Sequence, residues 1–131
     1  MNKVVVRFAD KHAAKGFTND FFPGRESFHL SPASESGAEP VVIRVSDLKA
    51  VFFVHDLAGN REKTDRKEFD PAHPAVGRRI KVVFKDGEVF VGTTHGYQPG
   101  RQGFFVVPAD ATSNIQRCYV VTAATESVSF L

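Results

Sequence analysis

Two arginines raise the first question of chemistry. Arg25 and Arg101 each follow a Pro-Gly pair, Pro23-Gly24 and Pro99-Gly100. A guanidinium can grip a phosphate or a carboxylate through two parallel hydrogen bonds. Near the first corner stand Asn19 and Phe22, and near the second His95 and Tyr97. These six residues are the candidate binding set. The competing reading is that each arginine braces its own turn by bonding nearby carbonyls. Both arginines are kept while neighbouring positions differ, which favours bracing. Asn19 faces His95 in the comparison, and Asp20 faces Gly96. A site at the corners would therefore differ between the two.

Other reactive chemistry is sparse. The chain has no Gly-rich phosphate loop followed by Lys and Ser/Thr, and no Gly-x-Ser-x-Gly elbow. His12, His29, His55, His73 and His95 form no His-x-x-x-His pair and join no cysteine motif, so no metal site is expected. Acidic residues sit in turns or beside basic ones, where solvation explains them better than an acid–base pair. The expectation is a protein that is not an enzyme and needs no cofactor. Cys118 is the only cysteine and lies in an apolar run, which predicts a buried, inert thiol.

The elements that must hold the corners come from a repeat. Residues 3–32 align without a gap on residues 79–108, at an offset of 76. Identical pairs include Val6/Val82, Phe8/Phe84, Asp10/Asp86, Gly16/Gly92, Thr18/Thr94, Phe28/Phe104 and Pro32/Pro108, besides the Pro-Gly-Arg corners. After one inserted residue the late strands align at an offset of 77, pairing Val51 with Val128 and Phe53 with Phe130. Apolar, β-branched runs predict strands at 3–8, 12–22, 27–31, 41–45 and 50–54. They recur at 79–84, 88–96, 103–107, 117–122 and 127–131. Asp86-Gly87 is a hairpin signal because a tight primed turn needs positive φ. Residues 46–49 read as one helical or 3₁₀ turn, replaced in the second copy by 123–126. Residues 61–68 are polar enough for a short exposed helix, but without an apolar stripe it would be marginal.

Each unit is thus five short strands, too small for a sandwich but able to bury a core by bending into a small barrel. Gly16 and Gly92, in mid-strand, suit a sharp bend or a close backbone approach. The expected architecture is all-β, with two tandem five-stranded barrels at residues 1–54 and 79–131. A linker at 55–78 joins them, stiffened by Pro71 and Pro74. Consecutive aromatics, Phe21/Phe22, Phe52/Phe53 and Phe104/Phe105, face opposite sides of a strand. Packing of one barrel on the other explains them more simply than a partner-binding patch.

The 131 residues suit one ordinary domain or two very small ones, and 42% hydrophobic residues suffice for a core. Thirteen Phe and no Trp make Phe a main core component. A net charge of +2 with no basic tail argues against a binder that works by bulk electrostatics. The chain starts on a strand-like run, and no apolar stretch nears the roughly 20 residues of a membrane helix. The expectation is a cytoplasmic protein without membrane contact.

One run has a family likeness. Ile80, Val82, Phe84, Asp86, Gly87, Gly92, Thr94 and Tyr97 form a pattern similar to the first signature of the Sm-like family. In the first copy Lys11 replaces the turn glycine, while Gly16 and Phe21 remain. The resemblance implies small SH3-like or Sm-like barrels. It does not extend to base recognition: Tyr97 is followed by Gln98 and Phe21 by Phe22, where that family places a base-holding Asp and then Asn. Its Arg-Gly pair is also missing, since Ile43-Arg44 leads into Val45. The run FVVPADATSNIQRCYVV resembles a group of duplicated bacterial domains found beside signalling modules, which implies a regulatory role.

The functional expectation is a non-enzymatic interaction or adaptor module in bacterial regulation. It would bind a protein partner by strand edges or by the groove between barrels. Open edges of strands four and five also suit homo-oligomerisation. The alternative is binding of RNA or a cyclic nucleotide through Arg25, Arg101, Tyr97 and the linker cations Arg61, Lys63, Arg66 and Lys67. Glu62, Asp65 and Glu68 interleave those cations and weaken that electrostatic case.

Overall fold

Alternating burial along short β-branched runs produces ten strands. The computed structural model describes residues 1–33, 38–59, 65–69, 71 and 76–131. The strands are β1 (Asn2–Phe8), β2 (Ala13–Thr18), β3 (Ser27–Pro32), β4 (Val41–Arg44) and β5 (Leu48–Val54). They are followed by β6 (Arg78–Phe84), β7 (Val89–Thr94), β8 (Gly103–Pro108), β9 (Ile115–Val121) and β10 (Thr125–Phe130). Single 3₁₀ turns, Val45–Asp47 and Thr122–Ala124, precede β5 and β10 at the tight turns expected there. Residues 61–64 of the expected short helix, with Arg61, Glu62 and Lys63, lie outside the described residues, as do His73 and Pro74. Residues 65–68 are not helical.

All pairings are antiparallel, and the strands follow one another in the order β10-β6-β7-β8-β9-β5-β1-β2-β3-β4. Each half therefore runs fifth, first, second, third, fourth. The halves are joined by β5 against β9, with Val51 opposite Tyr119 and Phe52 opposite Cys118. They do not stand as separate sheets on a spacer: an edge of each half is consumed by the other.

This junction accounts for the doublets Phe52/Phe53 and Phe104/Phe105, whereas Phe22 of the third stays exposed. All seven residues of β5 are buried. Leu48, Val51 and Phe53 pack into one core, with Val4, Val6, Phe28 and Leu30. Ala50, Phe52 and Val54 pack into the other, with Ile80, Val82, Phe84 and Phe104. Strand β9 divides likewise: Tyr119 and Val121 enter the first core, Cys118 and Val120 the second. A strand covered on both faces becomes continuously apolar rather than alternating.

Gly16 and Gly92 stand at crossings of two backbones. A Cβ at Gly16 would lie 2.2 Å from the Ser31 carbonyl oxygen, and one at Gly92 would lie 1.9 Å from that of Val107. The hairpin turns also correspond, with Gly87 at φ 93° and Lys11 at φ 80°. Lys11 therefore holds a left-handed conformation that its Cβ disfavours. Lys11→Gly is expected to stabilise the protein by roughly 0.5–1 kcal/mol, read as a higher denaturant midpoint.

Lys49, almost buried on β5, spans the junction. Its ammonium donates to Asp86 Oδ2 and Glu88 Oε1, each at 2.7 Å, and lies 4.7 Å above the Phe84 ring. The hydrogen bond from Lys49, then that from the Glu88 amide, hold the Asp86 carboxyl below its ordinary range. A lowered carboxylate pKa contributes stability above the unfolded value of about 3.9 and loses it as pH falls through the folded value. Lys49→Met is expected to cost about 1–2 kcal/mol at neutral pH, a charge-assisted bond less the retained apolar stem. The variant's stability should also fall less steeply than the parent's below about pH 4. Urea titrations at several pH values test both.

Residues 55–59 and 65–69 are tied to the second half. The Asn114 carbonyl accepts the His55 amide, and the Asn114 side chain both accepts the Asp56 amide and donates to the Asp56 carbonyl. Buried Asp110 accepts the Arg66 amide at 2.9 Å, and Ser113 donates to Asp65 at 2.5 Å. The β8–β9 loop thus holds both of these stretches.

Candidate functional site

The Pro-Gly-Arg corners are closed turns. The Arg25 amide donates to the Phe22 carbonyl at 3.2 Å, and the Arg101 amide to that of Gln98 at 3.1 Å. The Arg25 guanidinium lies 4.7 Å over the Phe22 ring, and Arg101 Nε donates to Gln98 Oε1 at 2.5 Å. The Arg25 side chain thus stacks on an aromatic of its own turn, and that of Arg101 bonds a glutamine of its own.

Gln102 connects the corners. Its Nε2 donates to the Arg25 carbonyl, and its Oε1 accepts the Tyr119 hydroxyl, both at 3.1 Å. Arg25, Phe22 and Arg101 consequently share one exposed region beside the β5–β9 junction, with Phe22 51% exposed. The other candidates lie elsewhere in their halves. Asn19 is exposed just past β2, and His95 is exposed just past β7, near Gly77. Tyr97 packs edge-on against Phe104 at 4.7 Å and Phe130 at 5.9 Å. The geometry joins three of the six residues at one place and ties Tyr97 to β10.

Beside Asn19, Asp20 accepts the His29 amide at 2.9 Å and contacts His29 Nδ1 at 2.7 Å. The His29 amide is the main reason its carboxyl is held below the usual range. This contact links the β2–β3 loop to β3. It leaves Asp20 committed to the fold.

A groove of about 490 Å³ runs between the halves. Val5, Phe52, Val54 and Phe90 supply apolar lining, while Arg7 and Lys67 bring positive charge to it. The Lys15 ammonium, also at the groove, donates to the Leu57 carbonyl at 2.9 Å. Among the described residues, no group of three His, Cys, Asp or Glu is placed to hold a metal ion. No helix among them is long and apolar enough to cross a membrane. Burial pushes the Cys118 thiol pKa far up, so the thiol stays protonated and unreactive in the folded state.

Strands four and five of each unit were the edges expected to be open; β5 and β9 pair with each other, and β10 and β4 end the strand order. Among the described residues, nothing pairs with the outer side of β4 or of β10. On β4, Val41 is 49% and Val42 57% exposed, on opposite faces of one strand. Their counterparts on β9, at the offset of 77, are Cys118 and Tyr119, which the junction buries to 0% and 1%. The signal was the Val-Val doublet, the same kind of cue as the Phe doublets.

A family model covers residues 1–131. The chain belongs to DUF6982, a family of unknown function. No curated protein and no solved structure matches it significantly. The DUF6982 chain is accordingly read from its own surfaces: a braced pair of corners, an apolar groove and two bare sheet edges.

Proposed function

We propose that this protein is a non-enzymatic interaction module that binds a protein partner by strand addition. Its two halves are read as tandem SH3-like or Sm-like small barrels descended from an internal duplication. The shared strand order and the equivalent turns and glycines support that reading. The observation that carries the functional reading is the free edge of β4. It offers unpaired backbone groups flanked by Val41 and Val42, exposed on both faces. An edge of this kind recruits an extended segment through main-chain hydrogen bonds and apolar side-chain contacts. The β5–β9 junction illustrates how these residues behave once a neighbour covers them.

Nucleotide or RNA binding through Arg25 and Arg101 is the weaker reading. Both guanidiniums are engaged within their own turns, and the net charge is small.

The test uses the full chain as bait in three forms: parent, Val41→Lys with Val42→Pro, and Arg25→Glu with Arg101→Glu. Proline removes an edge donor and lysine places charge on the covered face. A protein retained by the parent and the arginine variant but lost from the edge variant is the expected result. Retention indifferent to the edge, or nucleic-acid retention that the arginine variant abolishes and salt weakens steeply, would overturn the proposal.

A further inference from the structure

Resting on the edge reading above, we infer that one occupant of the β4 edge is strand β10 of a second copy of this chain. The copies join head to tail as β5 and β9 join within one molecule. Strand β10 corresponds to β5, and β4 to β9, at the same offset of 77. Among the described residues these are the two edges left open.

The internal register supplies the alignment. Ala50 faces Val120 and Val51 faces Tyr119. Carried to the outer edges, it places Ser127 opposite Ile43 and Val128 opposite Val42 of the neighbouring copy. One step the other way, Ser129 stands opposite Val41, as Phe52 stands opposite Cys118. The apolar pair of Val128 and Val42 thus meets directly across the two strands, a contact that stabilises adjacent strands.

The aromatic contacts point to the same occupant. In the first half Phe21 meets Phe28 at 5.1 Å and Phe53 at 5.5 Å. Across the junction Phe105 and Tyr119 approach the same ring, at 6.2 and 5.0 Å. In the second half Tyr97 repeats the inner contacts with Phe104 and Phe130, but Phe130 remains 39% exposed. The positions equivalent to Phe105 and Tyr119 would be filled by His29 and Val42 of the next copy, both exposed here.

The copied junction is weaker than the original. Ser127 and Ser129 replace Ala50 and Phe52, so one face gains little from burial, and Pro40 brings no amide beside the start of β4. Association is therefore concentration-dependent. Because the two surfaces differ, it is heterologous, and each added copy presents a fresh edge.

Sedimentation velocity on the full chain, from about 1 μM to 1 mM, tests this. The parent's average mass should rise with concentration. Val41→Lys with Ser129→Lys, and Val41→Glu with Ser129→Glu, each place like charges across the junction and should each weaken association by about tenfold. Mixing the two double variants places opposite charges at both kinds of contact and should restore association. A parent that stays monomeric throughout, or association untouched by Val41→Lys with Ser129→Lys, overturns the inference. In that event, bait retention that still depends on Val41 and Val42 would leave the strand-addition reading standing. Loss of edge-dependent retention in a chain that still self-associates would remove the protein-partner reading alone.

Discussion

Gly92→Ala is expected to cost about 4 kcal/mol or more, a large share of the stability of a domain of this size. The added methyl carbon would sit 1.9 Å from the Val107 carbonyl oxygen, 2.8 Å from its carbon and 2.7 Å from Val106 Cγ1. A flexible side chain could turn away from such a contact. A backbone carbonyl in a paired strand cannot move without opening the sheet at β7 and β8, where Gly92 faces Pro108. Gly16→Ala, with its contact to Ser31, should behave alike in the first half. Gly100→Ala is the control: nothing lies within 4 Å of a Cβ there, so a change within about 0.5 kcal/mol is expected. Chemical denaturation of the three variants checks this. An effect at Gly92 no larger than that at Gly100 would contradict the described crossing of strands.

Tyr119→Ala is expected to cost about 4 kcal/mol, in the range for deleting a buried aromatic ring. Tyr119 belongs to the second half by sequence but is 1% exposed in the core of the first. Its ring meets Phe21 at 5.0 Å and Phe105 at 5.1 Å, both edge-on. Tyr119→Phe keeps the ring, removes the hydroxyl with its bond to Gln102, and should cost about 1 kcal/mol. Because the ring joins both halves, Tyr119→Ala should lower a single shared unfolding transition. Two separated transitions, with only the second half affected, would show that the ring does not serve the first core.

Much of this fold was legible because the chain states its pattern twice. The Pro-Gly-Arg corners, Gly16/Gly92 and the alternating runs located the strands, and a reading made in one half could be checked in the other. The partnership of β5 with β9 was not legible. Open edges present the same backbone groups to any neighbour, and no local period tells which strand will take them. Phe52-Phe53 and Phe104-Phe105 did signal that both faces of a strand were covered, without showing which strands would meet. Lys49 read as the end of the turn at 46–49, whereas it lies on β5 and reaches Asp86 and Glu88 across the junction. Lys11 gave no warning of its positive φ, except that it stood where the other hairpin has Gly87. The candidate site divided along similar lines. The corners were found, but what matters at them is Gln102, whose role depends on the two halves meeting. The segment after Val54 read as a linker because its partners, Asp110, Ser113 and Asn114, lie some 40 to 60 residues further on.

Native-state hydrogen exchange on the dilute parent protein addresses the central claim most directly. That claim is that the halves are sealed along β5 and β9, leaving β4 and β10 as the open edges. Amides of Ala50–Phe53 and Cys118–Val120 are then expected to exchange among the slowest, with a free energy close to that of global unfolding, while outward-facing amides of β4 and β10 exchange fastest among the strands. Junction amides that exchange well before the interior strands β1 and β6 would contradict the account, because the halves would then be opening at the seam.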